Sequence, residues 1–290
     1  MKTDLFHSKK RSALLLIILA ALVITVLICL VLREDKPPHD GETQSTTEDK
    51  STISFPVILP DPDDLTQDID PSDDSSTPIT PFEVTWEPSA ISDSYQIDGE
   101  TVFFASINQP VFAGLDSTVC DTINSALEDY CRTFIKITSD DRLLAEEAYQ
   151  ESLFGFEPYE RSGDYTVFVR DNMISVLFNL FHENGGADTA SEKKALTFDM
   201  TTGKAVSFAD YIGKDEAFGR DYLLTVVGQM IGNTPDKFYT DALDILTATL
   251  NLHDFYLTEE TLVLFFNPDV LAPSAHGLVT LEIPYSQLGK

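Results

Sequence analysis

Apolar and polar residues fall into three regimes along this chain. Residues 13–32 are an unbroken apolar run in which Thr25 is the sole polar side chain. Coiled as a helix, the run spans about 30 Å, the thickness of a bilayer's hydrocarbon core, and it predicts a transmembrane helix. Residues 33–88 have few apolar positions, are rich in Asp, Glu, Ser and Thr, and hold nine of the fifteen prolines. Such a segment buries too little surface to offset ordering entropy, so a disordered linker is expected. The short apolar stretch 53–59 is a candidate for docking, and Pro56 and Pro60 argue against a central strand there. From about residue 89 to 290, apolar positions recur with strand and helix periods.

Within that last regime, residues 95–97 and 101–112 read as strands joined at Asp98-Gly99. Asp116 is placed to cap a helix over 117–137, whose stripe is Val119, Cys120, Ile123, Leu127, Tyr130, Cys131 and Phe134. A shorter helix follows over 140–153. Three antiparallel strands are expected at 164–170, 173–183 and 192–200, with turns at Asp171-Asn172 and Asn184-Gly185-Gly186. After the turn Thr201-Thr202-Gly203-Lys204, Ser207 and Asp210 form a capping pattern for a short helix ending at Gly213. Helices over 215–231 and 236–250 and strands at 255–257, 261–266 and 278–283 complete the pattern. The expected class is α+β, a mostly antiparallel sheet with helices packed on one side, in two associated lobes after the membrane helix and linker. The expected division is a cytoplasmic tail 1–12, transmembrane helix 13–32, linker 33–88, small lobe 89–160 and C-terminal domain 161–290.

Charge sets the topology and narrows the partners. Lys9, Lys10 and Arg11 precede the apolar run, whereas Arg33, Glu34, Asp35 and Lys36 nearly cancel after it. The bias holds the N-terminus in the cytoplasm and the rest outside, as a signal-anchor in a single-pass membrane protein. A cleaved signal peptide fits less well, since the run is long and no small-x-small pattern follows. Cys29 as a lipoprotein site lacks the small residues expected before it. The formal net charge is −29; of the 19 basic and 48 acidic residues, 15 and 47 follow Leu32, a net of −32 there. That disfavours nucleic acid and anionic lipid and suits a cationic partner. With three cysteines no disulfide framework is expected. Cys120 and Cys131 lie about 16 Å apart along one helix, which prevents them from bonding. An exterior protein without disulfides is compatible with a Gram-positive cell envelope.

Candidate chemistry is sparse. His182-Glu183-Asn184 lacks the second histidine of a zinc-binding HExxH, and Gly186 stands in its place. A zinc site from His182, His253 and His276 with an aspartate is the weaker alternative to hydrogen-bonded or solvated histidine. Ser274 and His276 share a loop without an elbow or an oxyanion hole. There is no Walker loop, GxGxxG or DxDxDG calcium loop, so neither cofactor nor metal is expected. Carboxylates are too numerous for any pair to read as a glycosidase dyad.

Two stretches carry a likeness. The first, residues 174–212, runs from a strand through Gly185-Gly186-Ala187 to a returning strand ending Phe198-Asp199, then Thr202-Gly203-Lys204 and Asp210. The second, residues 255–288, contains Phe255-Tyr256-Leu257-Thr258, Phe266-Asn267-Pro268, Ala272-Pro273, Gly277 and Ile283-Pro284-Tyr285. Together they resemble the exterior domain of RsiV-type anti-sigma factors. Residues 95–135 resemble the smaller domain that precedes it there and in PdaC-type peptidoglycan deacetylases. The likeness implies a non-enzymatic binding or sensing module, since the best-known member binds lysozyme with this domain and the complex exposes it to regulated proteolysis. It implies a cationic protein such as lysozyme, or a cell-wall component, as partner. The loops through Asp188 and through Asn267, Ser274 and His276 are the candidate contacts, because the regular elements spend their apolar faces on the core. Gly185, Gly186, Asp199, Thr202, Gly203, Lys204 and Pro284 read as structural turn residues. Asp188 departs from the family, whose members often have histidine there, and residues 1–12 are too short for a sigma-factor-binding domain. The rival readings are an enzyme acting on cell-wall glycans and an indirect sigma-factor regulator.

Overall fold

A computed structural model describes residues 53–56, 83–152, 155–185 and 189–289. The expected tail 1–12, the expected transmembrane helix 13–32, most of the expected linker 33–88, Gly186 and Asp188 lie outside them. Among the described residues no helix is long and apolar enough to cross a membrane.

Strands and helices follow their local signals closely. Strands β1 (Ile53–Pro56), β2 (Thr85–Ile97) and β3 (Glu100–Ala113) come first. Asp98 and Gly99, both at positive φ, turn β2 into β3. Helix α1 (Ser117–Ile135) starts where the Asp116 carboxylate accepts from the Thr118 N–H at 2.9 Å, and it buries Val119, Cys120, Ile123, Leu127, Cys131 and Ile135. Helix α2 (Ser139–Glu151) opens on a Thr138/Asp141 capping box. Then come β4 (Tyr159–Arg170), β5 (Met173–Glu183) and β6 (Thr189–Asp199). The Ser207/Asp210 box starts α3 (Phe208–Ile212), which Gly213 ends in the left-handed region. Asp215 caps α4 (Glu216–Asn233).

The helix expected over 236–250 is broken. Pro235–Lys237 form a 3-10 turn, Tyr239 gives its N–H to the Leu271 carbonyl at 3.0 Å, and α5 is confined to Ala242–Thr249. Strands β7 (Phe255–Leu257), β8 (Thr261–Phe266) and β9 (Val279–Pro284) end the fold.

Two sheets organise these elements. The larger runs β2-β3-β4-β5-β6 and the smaller β1-β9-β8-β7. All pairings are antiparallel except β3 with β4 and β1 with β9. The α+β class holds, with helices on one side of the five-stranded sheet. The expected boundary at residue 160 lies inside β4, which pairs with β3 from Tyr159 to Gly163, so the five-stranded sheet runs on to Asp199 and the elements after it are termed the smaller lobe. The linker also gives up residues to the fold. Thr85 to Pro88 belong to β2, where an edge position tolerates proline, and Pro88 faces Pro110 beyond the last β3–β4 pair at Ile107 and Gly163. Ile53–Pro56 form the edge strand of the smaller sheet, with Pro56 as its last residue.

Three apolar clusters hold the fold. The inner face of the larger sheet packs Phe103, Ala105, Ile107, Ile174, Val176 and Phe178 against α1 and α2. The smaller lobe encloses Phe208, Leu223, Phe255 and Leu281. Leu177 and Ala195, on the outer face of the larger sheet, meet Phe265 of β8. Asn124 fastens α1 to β3 by accepting from the Phe112 N–H at 2.8 Å and donating to its carbonyl at 3.0 Å. Cys120 and Cys131 are buried free thiols, and burial pushes Cys131 up to about 12, so it stays protonated at neutral pH.

Candidate functional site

Register sorts the outer face of the larger sheet into rows, since paired residues share a face. Phe168, Ser175 and Thr197 form one row, and Thr166, Leu177 and Ala195 the next. The smaller lobe covers both rows. Phe168 stacks on Tyr256 with ring centroids 5.3 Å apart. Ser175 Oγ lies 2.8 Å from Thr197 Oγ1 and accepts the Leu257 N–H at 3.1 Å.

Asp164, Asn179 and Lys193 form the boundary row. Here Asn267, just after β8, accepts from the Lys193 N–H at 2.8 Å and donates to the Lys193 carbonyl at 3.0 Å. Burial lowers the Lys193 ammonium below its ordinary value. Beyond this clamp no described residue covers the face. One row reads Ser92, Ser106, Ser162, Phe181, Ser191, and the last reads Ser94, Phe104, Glu160, Glu183. Phe104 is 37% exposed and Phe181 44% exposed.

A cleft of about 200 Å³ opens at the same end of the sheet, lined by Phe103, Tyr159, Glu160, Arg161 and His182 of the strands, by Asn184 just after β5, and by Asp141 and Leu144 of α2. Arg161 is spoken for. Its guanidinium sits 5.3 Å from the Phe103 ring centroid, donates to the Phe134 carbonyl at 3.0 Å, and pairs with Asp141 at 3.0 Å. Burial lowers the His182 imidazole below its ordinary value and keeps it neutral. A second cavity, about 230 Å³, lies in the smaller lobe between Asn251, Asp254, Phe265 and Asn267. Among the described residues no three His, Cys, Asp or Glu side chains gather as a metal site.

The residues nominated from sequence do not form one site. Asn267 is a clamp between the sheets, which its sequence position alone could not reveal. Ser274 and His276 bound a 3-10 turn in a loop that is bonded to itself: the Asp269 carboxylate accepts the Ser274 N–H at 2.6 Å and the Tyr239 hydroxyl at 3.1 Å. Asp188 lies outside the described residues. Gly185 takes the positive φ of a turn. Pro284 leads into a 3-10 turn whose Tyr285 hydroxyl reaches the Thr258 and Thr261 carbonyls at 2.8 Å.

In the Thr202-Gly203-Lys204 turn, Asp199 accepts from the Thr201 and Thr202 N–H groups at 2.7 and 2.9 Å. The Asp199 N–H donates to the Lys204 carbonyl at 3.0 Å. The open rows were missed because they exist only once the register is known.

Three carboxyls sit below their ordinary range, and each serves a turn or cap. Burial opposes ionisation at Asp141 and Asp199, but bonds from Thr138 and Arg161, and from Thr201 and Thr202, outweigh it. At Asp210, bonds from Ser207 lower it. The stability they contribute is therefore present above the unfolded value, near pH 4, and lost as pH falls through the lower folded values. Asp199→Asn should flatten the acid limb of a melting-temperature profile below about pH 4. An acid limb parallel to that of the wild type would remove Asp199 from this role.

Residues 227–286 match a family model described as a protein of unknown function, DUF3298. The stretch begins in α4 and takes in α5 and β7 to β9. Two solved structures are similar. One is a DUF3298 family member from Bacteroides fragilis, 17% identical, with 71% of this chain and 92% of that chain covered and a TM-score of 0.48. The other is a DUF3298 family protein from Pseudomonas aeruginosa, 17% identical, with 72% and 94% covered and a TM-score of 0.44. No curated protein matches.

Proposed function

We propose that this chain is a binding or sensing module for a cationic protein such as a lysozyme, held outside a Gram-positive cell by the helix of residues 13–32. One observation carries the reading: 47 acidic residues stand against 15 basic ones after Leu32, and the basic groups of the fold are largely engaged internally. Arg132 pairs with Glu128, Arg161 with Asp141 and Lys194 with Asp254. Arg220 donates to the Thr247 and Leu250 carbonyls, and Arg142 lies over the Tyr95 ring. The outward field is therefore negative, and it accelerates encounter with a basic surface. The RsiV-type motifs point to the same partner class.

Surface plasmon resonance of the full chain against lysozyme tests this reading. Raising salt from about 20 to about 300 mM should slow association at least about tenfold while dissociation changes less than about threefold, since exposed charge acts on encounter. Absence of binding at micromolar concentration in low salt would reject lysozyme as the ligand.

A further inference from the structure

Two neighbouring sets of residues, on opposite faces of the same strands, share one chemistry. On the inner face Phe103 of β3 and Asp141 of α2 hold the guanidinium of Arg161, and the Phe134 ring centroid is 6.0 Å away. One residue along each strand, side chains alternate to the outer face. There Phe104 of β3 is paired with Glu160 of β4, and Glu160 is directly opposite Glu183 of β5. Phe181 stands on the same face one row away, opposite Ser162. The outer set thus has the aromatic faces and the carboxylates of the inner one, and all four side chains are exposed.

No cation fills it among the described residues. Among the described residues, Arg132 pairs with Glu128, Arg161 with Asp141, Arg170 with Asp171 and Lys194 with Asp254. Lys193 shares the face, but it is two rows away from Glu183 and half-buried at the Asn267 clamp. Like charges directly opposite one another on adjacent strands repel, so a cation placed between Glu160 and Glu183 gains from both.

We propose that Phe104, Glu160, Phe181 and Glu183 form a socket for an arginine side chain presented by the cationic partner, an assignment that rests on the reading above. Arginine fits better than lysine for two reasons. Its flat, weakly hydrated guanidinium stacks on a phenyl face, and its forked donors reach two carboxylates set on neighbouring strands. The chain's own arginines show the same taste, since Arg170 lies 3.6 Å from the Tyr285 ring centroid and 3.5 Å from Asp171. The serines of the open face, Ser92, Ser94, Ser106, Ser162 and Ser191, are short and leave room for an approaching surface.

The test uses the purified full chain with two probes, lysozyme and oligo-arginine, and with oligo-lysine of equal length for comparison. Glu160→Gln/Glu183→Gln and Phe104→Ser/Phe181→Ser should each weaken lysozyme binding about tenfold or more. The charge-matched control Asp121→Asn/Asp129→Asn, on the exposed face of α1, should stay within about twofold. The wild type should prefer oligo-arginine over oligo-lysine, and the phenylalanine double variant should lose that preference. A thermal melt checks folding, and the glutamine variant should melt no lower than the wild type because a repulsion is gone. If the wild type binds and both socket variants match the control, the socket is wrong and the acidic field alone carries binding. If the wild type binds neither lysozyme nor oligo-arginine, the cationic-partner reading falls and the socket with it.

Discussion

Gly203→Val is expected to lower the stability of the fold by about 3 kcal/mol, the sum of a backbone term and a packing term. Gly203 sits at φ 71° in the turn after β6, with its N–H donating to the Asp199 carbonyl at 2.8 Å. A β-branched residue resists that conformation. A Cβ added there would also lie 2.9 Å from Thr122 Cβ and 3.0 Å from the Val119 carbonyl oxygen, so the clash is with the body of α1 and not with a yielding side-chain tip. Two milder variants separate the terms. Gly203→Asn tolerates the left-handed region but keeps the Cβ clash, whereas Gly203→Ala keeps that clash with a smaller backbone cost than valine. Calorimetry should place the valine variant roughly 6–12 °C below the wild type for a fold of this size. A valine variant melting within about 1 °C of the wild type would mean that the turn and α1 separate freely.

Ser175→Ala should lower stability by about 2–3 kcal/mol, although it removes a single oxygen atom. Ser175 Oγ is fully buried between the two sheets and bonds both Thr197 Oγ1 and the Leu257 N–H. Thr197 Oγ1 in turn reaches the Phe255 carbonyl at 3.3 Å. Alanine leaves the Leu257 N–H unpaired in a dry contact, and that desolvation cost dominates. Hydrogen exchange should quicken first at β7, which the network holds to the larger sheet, before the amides of β4 and β5 respond. Unchanged exchange at β7 would show that apolar contact alone joins the sheets there.

Sequence was most informative where a signal is local. The Asp116 cap, the Ser207/Asp210 box and the Asp98-Gly99 turn each depend on residues within a few positions of one another, and each stands where the pattern put it. Signals failed where a distant partner decides. Residues 236–250 read as a helix by composition, but the Leu271 carbonyl draws Tyr239 out of register. Pro88 reads as linker, yet β3 accepts it at a sheet edge. The parallel β3–β4 pair, which carries the larger sheet across residue 160, follows from a crossover that periodicity does not encode.

The same distinction governs the site. Asn267 was nominated for contact with a partner, and its amide instead grips the Lys193 backbone, 74 residues away in sequence. Phe104 and Phe181 read as ordinary alternating strand residues. Only the register sets them on one face with Glu160 and Glu183, and among the described residues the smaller lobe stops short of that part of the face.

The parallel pairing of β1 with β9 bears on the order in which the chain can be assembled. Ile53 is opposite Val279, so the contact closes a loop of roughly 220 residues, the kind of contact that loop entropy delays. During synthesis β1 emerges long before the strand it needs. Every other neighbour pairing in either sheet joins strands much nearer in sequence, and so can form while β1 still waits. The four-residue edge strand is therefore expected to be the last secured in biogenesis, since β9 must be made before β1 has a partner.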